Sequence, residues 1–249
     1  MNEIIENIYK TRTVTGKNGN VHNLHSEIDR NEGKFLYETV CNDPAVLNTL
    51  EVGCAYGLSS LHICSALKER PGASHIIVDP FQNTAWDGVG VKNLQKSDID
   101  FFHLIETRSE VALPSLLAER EEQLDLIFID GCHTFDHALL DCFYATRLLK
   151  VGGYLIIDDV TFPSVERVVD FLKNYPCYEE HSSVTFSKAK SLKRVTARIA
   201  LSVIPKILLK RFLVPRVYRK VFEDQAVRMV ALKKVGKDTR NSNWHNDTF

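Results

Sequence analysis

Several common signatures are missing from this sequence, and each absence narrows the reading. The six cysteines (Cys41, Cys54, Cys64, Cys132, Cys142 and Cys177) form no CxxC pair and no framework spacing. That argues against a disulfide scaffold and for single thiols in a reducing compartment. No uninterrupted apolar run approaches the ~18 residues of a membrane-spanning helix. The start, Met1-Asn-Glu-Ile-Ile-Glu6, carries acids where a secretory signal needs basic residues. A cytoplasmic location is the expectation. No GxGxxG seats a dinucleotide diphosphate, no HExxH marks a zinc hydrolase, and there is no internal repeat. Acidic residues are also missing from 187–220, which holds eleven Lys/Arg and leaves 20 basic against 32 acidic residues elsewhere.

What is present is ordinary for a soluble globular domain, with 44% hydrophobic and 25% charged residues over 249 positions. Strand patterns at 46–52, 74–79, 101–105, 124–130 and 154–158 alternate with helical patterns at 58–69, 89–97, 110–119, 134–149 and 163–174. That alternation predicts βαβ units and a doubly wound, mostly parallel α/β sheet. A helix near 31–40 precedes them, and strands near 182–186 and 225–232 follow. The 134–149 helix is expected to end on the glycines of Val151-Gly-Gly153. Residues 1–30 read as a loosely structured arm or lid, 31–235 as the domain, and 236–249 as a frayed polar tail.

The most informative stretch is Asp125-Leu-Ile-Phe-Ile-Asp-Gly-Cys-His133, an apolar strand that releases Asp130 at its end and breaks at Gly131. Open α/β sheets present functional groups in this way, at the carboxyl ends of strands. Gly153-Tyr-Leu-Ile-Ile-Asp158-Asp159 repeats the device. Asp130, Asp158 and Asp159 together make a hard-oxygen set suited to Mg²⁺ or Mn²⁺. His133, beside it, has the intrinsic pKa of a base that works near neutrality. The plain alternative is that the paired acids cap a helix. A zinc reading through His133 and His137, spaced i, i+4, lacks its glutamate, and His133 is expected in the turn.

A second site opens after the first strand, at Leu50-Glu-Val-Gly53-Cys-Ala-Tyr-Gly57. Glycines let the backbone turn tightly against a ligand. Glu51 precedes the turn, where it can receive an ammonium group, and Asp79 ends the next strand, where an acid commonly takes ribose hydroxyls. Taken with Glu51-x-Gly53-x-x-x-Gly57-x-Ser59, Asp79, Arg108-Ser109-Glu110, Asp130-x-x-His133 and Asp158-Asp159, the chain resembles the class I S-adenosylmethionine-dependent methyltransferases. Within them it is similar to the metal-dependent O-methyltransferases of the catechol and macrolide-sugar type. The resemblance spans about residues 30–175 and implies strand order 3-2-1-4-5-7-6, with the seventh strand antiparallel. It implies that Glu51 and Ser59 hold the methionine part, Asp79 the ribose, and Ser109 with Glu110 the adenine. Asp130 then borders both cofactor and metal. It further implies methylation of a hydroxyl on a sugar, glycan or small polyol. The alternatives are a metal-independent small-molecule methyltransferase, or a non-catalytic cofactor-binding protein at a membrane.

In the basic segment 187–222, Leu192, Val195, Ile199 and Val203 fall on one helical face, with Lys190, Lys193, Arg194 and Arg198 broadly opposite. This amphipathic segment can act as an ordinary cap or homo-oligomer surface, or meet an anionic membrane or lipid-linked substrate. Its few aromatic residues argue against nucleic acid.

Overall fold

The structure, a computed structural model, describes residues 2–187, 192–201, 204 and 215–245. The chain divides into two compact units, Met1–Val184 with Met229–Phe249, and Thr185–Arg228. In the first unit, helix α1 (Glu3–Thr11) and a hairpin of β1 (Thr13–Thr15) and β2 (Val21–Asn23) lead into α2 (Arg30–Asn42). The alternating core then runs β3 (Asn48–Val52), α3 (Leu58–Leu67), β4 (Ser74–Val78), α4 (Val89–Lys96), β5 (Phe102–Ile105), α5 (Ser109–Arg120), β6 (Leu124–Ile129), α6 (Phe135–Leu148), β7 (Leu149–Ile157) and α7 (Pro163–Leu172). Strands β8 (Tyr178–Ser187) and β9 (Gln225–Lys234) complete one seven-stranded sheet. Its order is β5-β4-β3-β6-β7-β9-β8, with β9 antiparallel to β7. Counted from β3, this is the expected 3-2-1-4-5-7-6.

Every residue of β6 is buried, as expected of a central parallel strand covered on both faces. The acid at its start is no exception. Asp125 Oδ2 accepts the backbone N–H of Leu47 at 3.1 Å and of Asn48 at 2.8 Å, and Lys150 Nζ donates to its Oδ1 at 2.8 Å. One carboxylate thus pins three neighbouring strand starts at the end of the sheet away from Asp130.

Three expectations change. The first thirty residues are packed rather than loose: Ile5, Ile8, Val14, Leu24 and Ile28 belong to the same buried cluster as α2 and α3. Asn2 caps α1, and Asp29 with Glu32 forms a reciprocal capping box on α2. Secondly, α6 does not end on glycine. Its last carbonyls are met by a buried cation, Lys234 of β9, whose Nζ donates to Thr146 O at 2.8 Å and Leu149 O at 2.7 Å. The freed chain extends at once, so Gly152 and Gly153 lie inside β7. Thirdly, the tail is held as far as Trp244, which packs on Tyr175: Asp238 pairs with Arg240, whose guanidinium lies 3.3 Å from the centre of the Tyr175 ring.

The second unit contains α8 (Leu192–Leu201) and α9 (Pro215–Phe222), which pack on each other. The amphipathic helix expected from 188 to 203 is seen from 192 to 201, and Lys190 and Val203 lie outside the described residues. Ile199 and Val217 are exposed.

Candidate active site at the carboxyl edge of the sheet

The parallel ladder continues one residue beyond the strands. Gly53 N–H donates to Val78 O, Asp79 N–H to Ile105 O, Asp130 N–H to Val52 O and Asp158 N–H to Ile129 O, at 2.9–3.2 Å. Since Val52 is paired with both Val78 and Ile129, and Ile129 with Ile157, these four residues stand in one row across the sheet edge. Strand order reverses between β3 and β6, and that is where open α/β sheets leave a crevice for ligands.

On the β3–β4 side the row is internally satisfied. The loop from Gly53 to Gly57 turns through positive φ at Gly53 (88°), Ala55 (46°) and Gly57 (81°). A side chain at Gly53 would lie 2.0 Å from Asp130 O, so only glycine fits. Asp79 is the fastener of this loop: its Oδ2 accepts Cys54 N–H at 3.0 Å and Ala55 N–H at 2.9 Å, and its Oδ1 accepts Phe81 N–H at 2.8 Å. Glu51 is fully buried and accepts from the hydroxyls of Ser59 and Ser60, with His75 Nε2 3.4 Å from its Oε2. Glu51, Ser59 and Asp79, expected at the ligand, here bond to the loop and to one another, shaping it from behind. What the loop offers outward is backbone, including the first turn of α3, which has no side-chain cap.

The β6–β7 side is crowded with acids. His133 Nε2 lies 3.1 Å from Asp159 Oδ2 and 3.5 Å from Asp130 Oδ1. Ligand atoms of Asp130, His133 and Asp159 all lie within 4.8 Å of one another, the one such group among the described residues. The expected trio was Asp130, Asp158 and Asp159; in the group that meets here, His133 stands where Asp158 was expected. Asp158 is buried and its Oδ1 accepts the N–H of Asp159 at 2.6 Å, which turns it back into its own loop. Burial pushes the Asp158 carboxyl up to about 9, helped by the negative charges of Asp130 and Glu32. Asp130, though a quarter of its side chain reaches solvent, is pushed up to about 6 by the packed atoms around its carboxyl; His133 opposes that shift. The hydrogen bond to Asp130 raises the His133 imidazole, against its partial burial.

Position 133 is also fixed mechanically. It precedes α6, as expected, and its ring stacks on Phe162 at 4.9 Å and 9°. The Ser164 hydroxyl donates to its carbonyl. His137 lies on α6 beside Thr134 and Asp136, apart from the cluster. Ser109 and Glu110 form the partly exposed first turn of α5, and no side chain caps that turn.

Some features of the site were not read from the sequence. The N-terminal hairpin reaches the loop after β4: Lys17 N–H donates to Asp87 O at 2.9 Å, and His22 Nε2 lies 3.0 Å from Asp87 Oδ2. His25 then joins Tyr56 of the glycine loop (2.9 Å) and Trp86 in an aromatic group. Phe162 was passed over because it looks like any apolar residue before a proline. Only the Asp29–x–x–Glu32 capping pattern offered a readable signal.

Residues 50–160 match the family model described as a methyltransferase domain. No match is found among curated proteins. Among solved structures, the chain is similar to the O-methyltransferase from Bacillus cereus in complex with SAH, with TM-score 0.62 and 15% identity over 94% of this chain and 92% of that one. It is likewise similar to the O-methyltransferase TomG from Streptomyces achromogenes, involved in tomaymycin synthesis and in complex with SAM, with TM-score 0.58 and 15% identity over 84% and 82% of the two chains. The SAH-bound methyltransferase PaMTH1 from Podospora anserina gives TM-score 0.55 and 15% identity over 84% and 80%. The protein has the Rossmann-like fold of the class I methyltransferases. The match to the methyltransferase-domain model runs from the glycine loop to the paired acids.

Proposed function

We propose that the protein is an S-adenosylmethionine-dependent O-methyltransferase that uses a divalent cation, Mg²⁺ or Mn²⁺. The observation that carries this reading is the meeting of Asp130, His133 and Asp159 at the sheet edge, one strand from the glycine loop. Two hard carboxylates fit Mg²⁺ or Mn²⁺, and the imidazole beside them is left free for proton transfer. Asp130 and Asp159 would hold it, with Asp158 in reserve behind them. When bound, such an ion supplies Lewis acidity that makes a hydroxyl easier to ionise. The glycine loop, the uncapped first turn of α3 and the Ser109–Glu110 turn would bind the methyl donor by backbone and small polar groups. His133 Nε2 takes the acceptor's proton, and Asp130 and Asp159 stabilise the imidazolium. Stacking on Phe162 keeps that ring in one plane. The acceptor oxygen then takes the methyl group from the sulfonium.

The acceptor class we infer is a hydroxyl on a sugar, glycan or small polyol, in line with the resemblance of the motifs. The second unit, carrying the basic segment, would serve as a peripheral contact with an anionic membrane or lipid-linked acceptor at the cytoplasmic face, or as a homo-oligomer surface. One observation favours a metal-independent variant: the His133 imidazole already lies between Asp130 and Asp159, at 3.5 and 3.1 Å from their oxygens. Calorimetry with S-adenosylhomocysteine, and methyl transfer to a glycan panel with and without EDTA, test both. Full activity in EDTA removes the metal role; absence of cofactor binding removes the function.

A further inference from the structure

Asp141, in the second turn of α6, is a carboxylate that the mechanism above does not use. It is 1% exposed, and neither of its oxygens has a hydrogen-bond partner. The Ser109 hydroxyl lies near enough for a loose hydrogen-bonding influence, and His137 and Glu110 act on it by charge, but none makes a bond of good geometry. Buried carboxylates rarely go unmet, because desolvation without a replacement donor is costly. A group left in this state marks a place where a donor from outside the chain is missing. Burial pushes its carboxyl up to about 6, so it is mostly ionised, and accepting, above neutral pH.

Its surroundings say where that donor enters. Asp141 lies under Gly131, on the β6 side of the crevice, and beside Ser109, which opens α5 after β5. Gly131 does not have the left-handed backbone that would call for glycine. A side chain there would instead lie 3.0 Å from Val52 Cγ1 and 3.4 Å from Asp141 Oδ2. Leaving out that side chain keeps a window over the carboxylate, between the turn at 130–133 and the first turn of α5.

We propose that Asp141 is the base-recognition residue of the methyl-donor site, accepting the exocyclic amino group of its purine through the gap at Gly131, next to Ser109. This rests on the methyl-donor reading above. An amino group is the donor that two bare acceptor oxygens lack, and it separates an aminopurine from an oxopurine. A carbonyl at the same place would face the carboxylate oxygen to oxygen, leaving a polar pair unmet.

The test compares S-adenosylhomocysteine with its deaminated analogue, S-inosylhomocysteine, by calorimetry at pH 8 on the full chain. The wild type is expected to bind the amino compound more tightly by on the order of 10- to 100-fold, the usual range for a hydrogen bond to a charged group. Asp141→Asn, whose amide can donate to the carbonyl, is expected to shrink or invert that preference. Equal binding of both compounds by the wild type overturns the proposal without any variant. An unchanged preference in a folded Asp141→Asn protein also overturns it. Failure of the wild type to bind S-adenosylhomocysteine at all is a different result, and it removes the methyl-donor reading itself.

Discussion

The two halves of the sheet edge are built from the same residue type and left in opposite states. At β3 and β4, the carboxylates of Glu51 and Asp79 are buried, and their oxygens accept from hydroxyls and backbone N–H groups of the loop they support. At β6 and β7, Asp130, Asp158 and Asp159 crowd together with one imidazole, and burial and mutual repulsion raise Asp130 and Asp158. The first half holds its own shape. The second is poised for positive charge. A carboxylate satisfied internally is a framework group; several that raise one another's pKa are waiting for a ligand or a proton.

The largest expected effect comes from breaking the second half. Asp130→Ala should lower methyl transfer by on the order of 10³-fold or more while S-adenosylhomocysteine binding, read by calorimetry, stays close to wild type. Equal losses of both would erase the contrast between the halves. Breaking the first half should do the reverse. Asp79→Ala leaves the N–H groups of Cys54, Ala55 and Phe81 unmet, so thermal unfolding should report a loss of about 3 kcal/mol, with cofactor affinity falling alongside.

A third test uses a group remote from both halves. The His62 imidazole, buried on α3 against Gly33, is pushed down to about 4 by desolvation. The unfolded chain takes up this proton near pH 6.5, while the folded chain resists until about 4. The His62 contribution to stability is therefore full above ~6.5 and falls by up to ~3 kcal/mol as pH drops toward 4, opposite in sign to that of the raised carboxyls. The difference in stability between wild type and His62→Gln, read from denaturant titrations across this range, should carry that slope. The smallest effect is expected at Phe162: losing the stack on His133 should lower kcat about fivefold, for ~1 kcal/mol, and leave cofactor affinity unchanged. Unchanged kcat would mean that the ring needs no such support.

Much of this was legible because strand ends are legible. An apolar run that stops at an acid and a glycine fixes the place of Asp130 in a parallel sheet, and the same logic located Gly53, Asp79 and the Asp158–Asp159 pair. Which of two adjacent acids turns outward was not legible, since it depends on Asp159 adopting a φ of 52° after the strand. The internal partners of Glu51 and Asp79 were hidden for a related reason. Sequence shows a carboxylate near a loop, but not that the loop's own donors have claimed it. The N-terminal segment was hidden by the shortness of its elements, with three-residue strands and few apolar residues spread over a polar stretch. Asp141 gave no signal because its neighbours, Ser109 and Gly131, come from separate parts of the chain.

The bond from Lys234 to the end of α6 has a consequence for how the molecule comes into being. Strand β9 sits between β7 and β8, yet it leaves the ribosome after both, and after the whole basic unit. Until residue 234 emerges, β7 lacks its antiparallel neighbour and α6 ends on unmet carbonyls. The sheet is thus closed by a late-emerging strand, through a pairing of high sequence separation that forms slowly. A nascent chain stalled before this strand would expose the edge of β7 as a site for chaperones or for another chain.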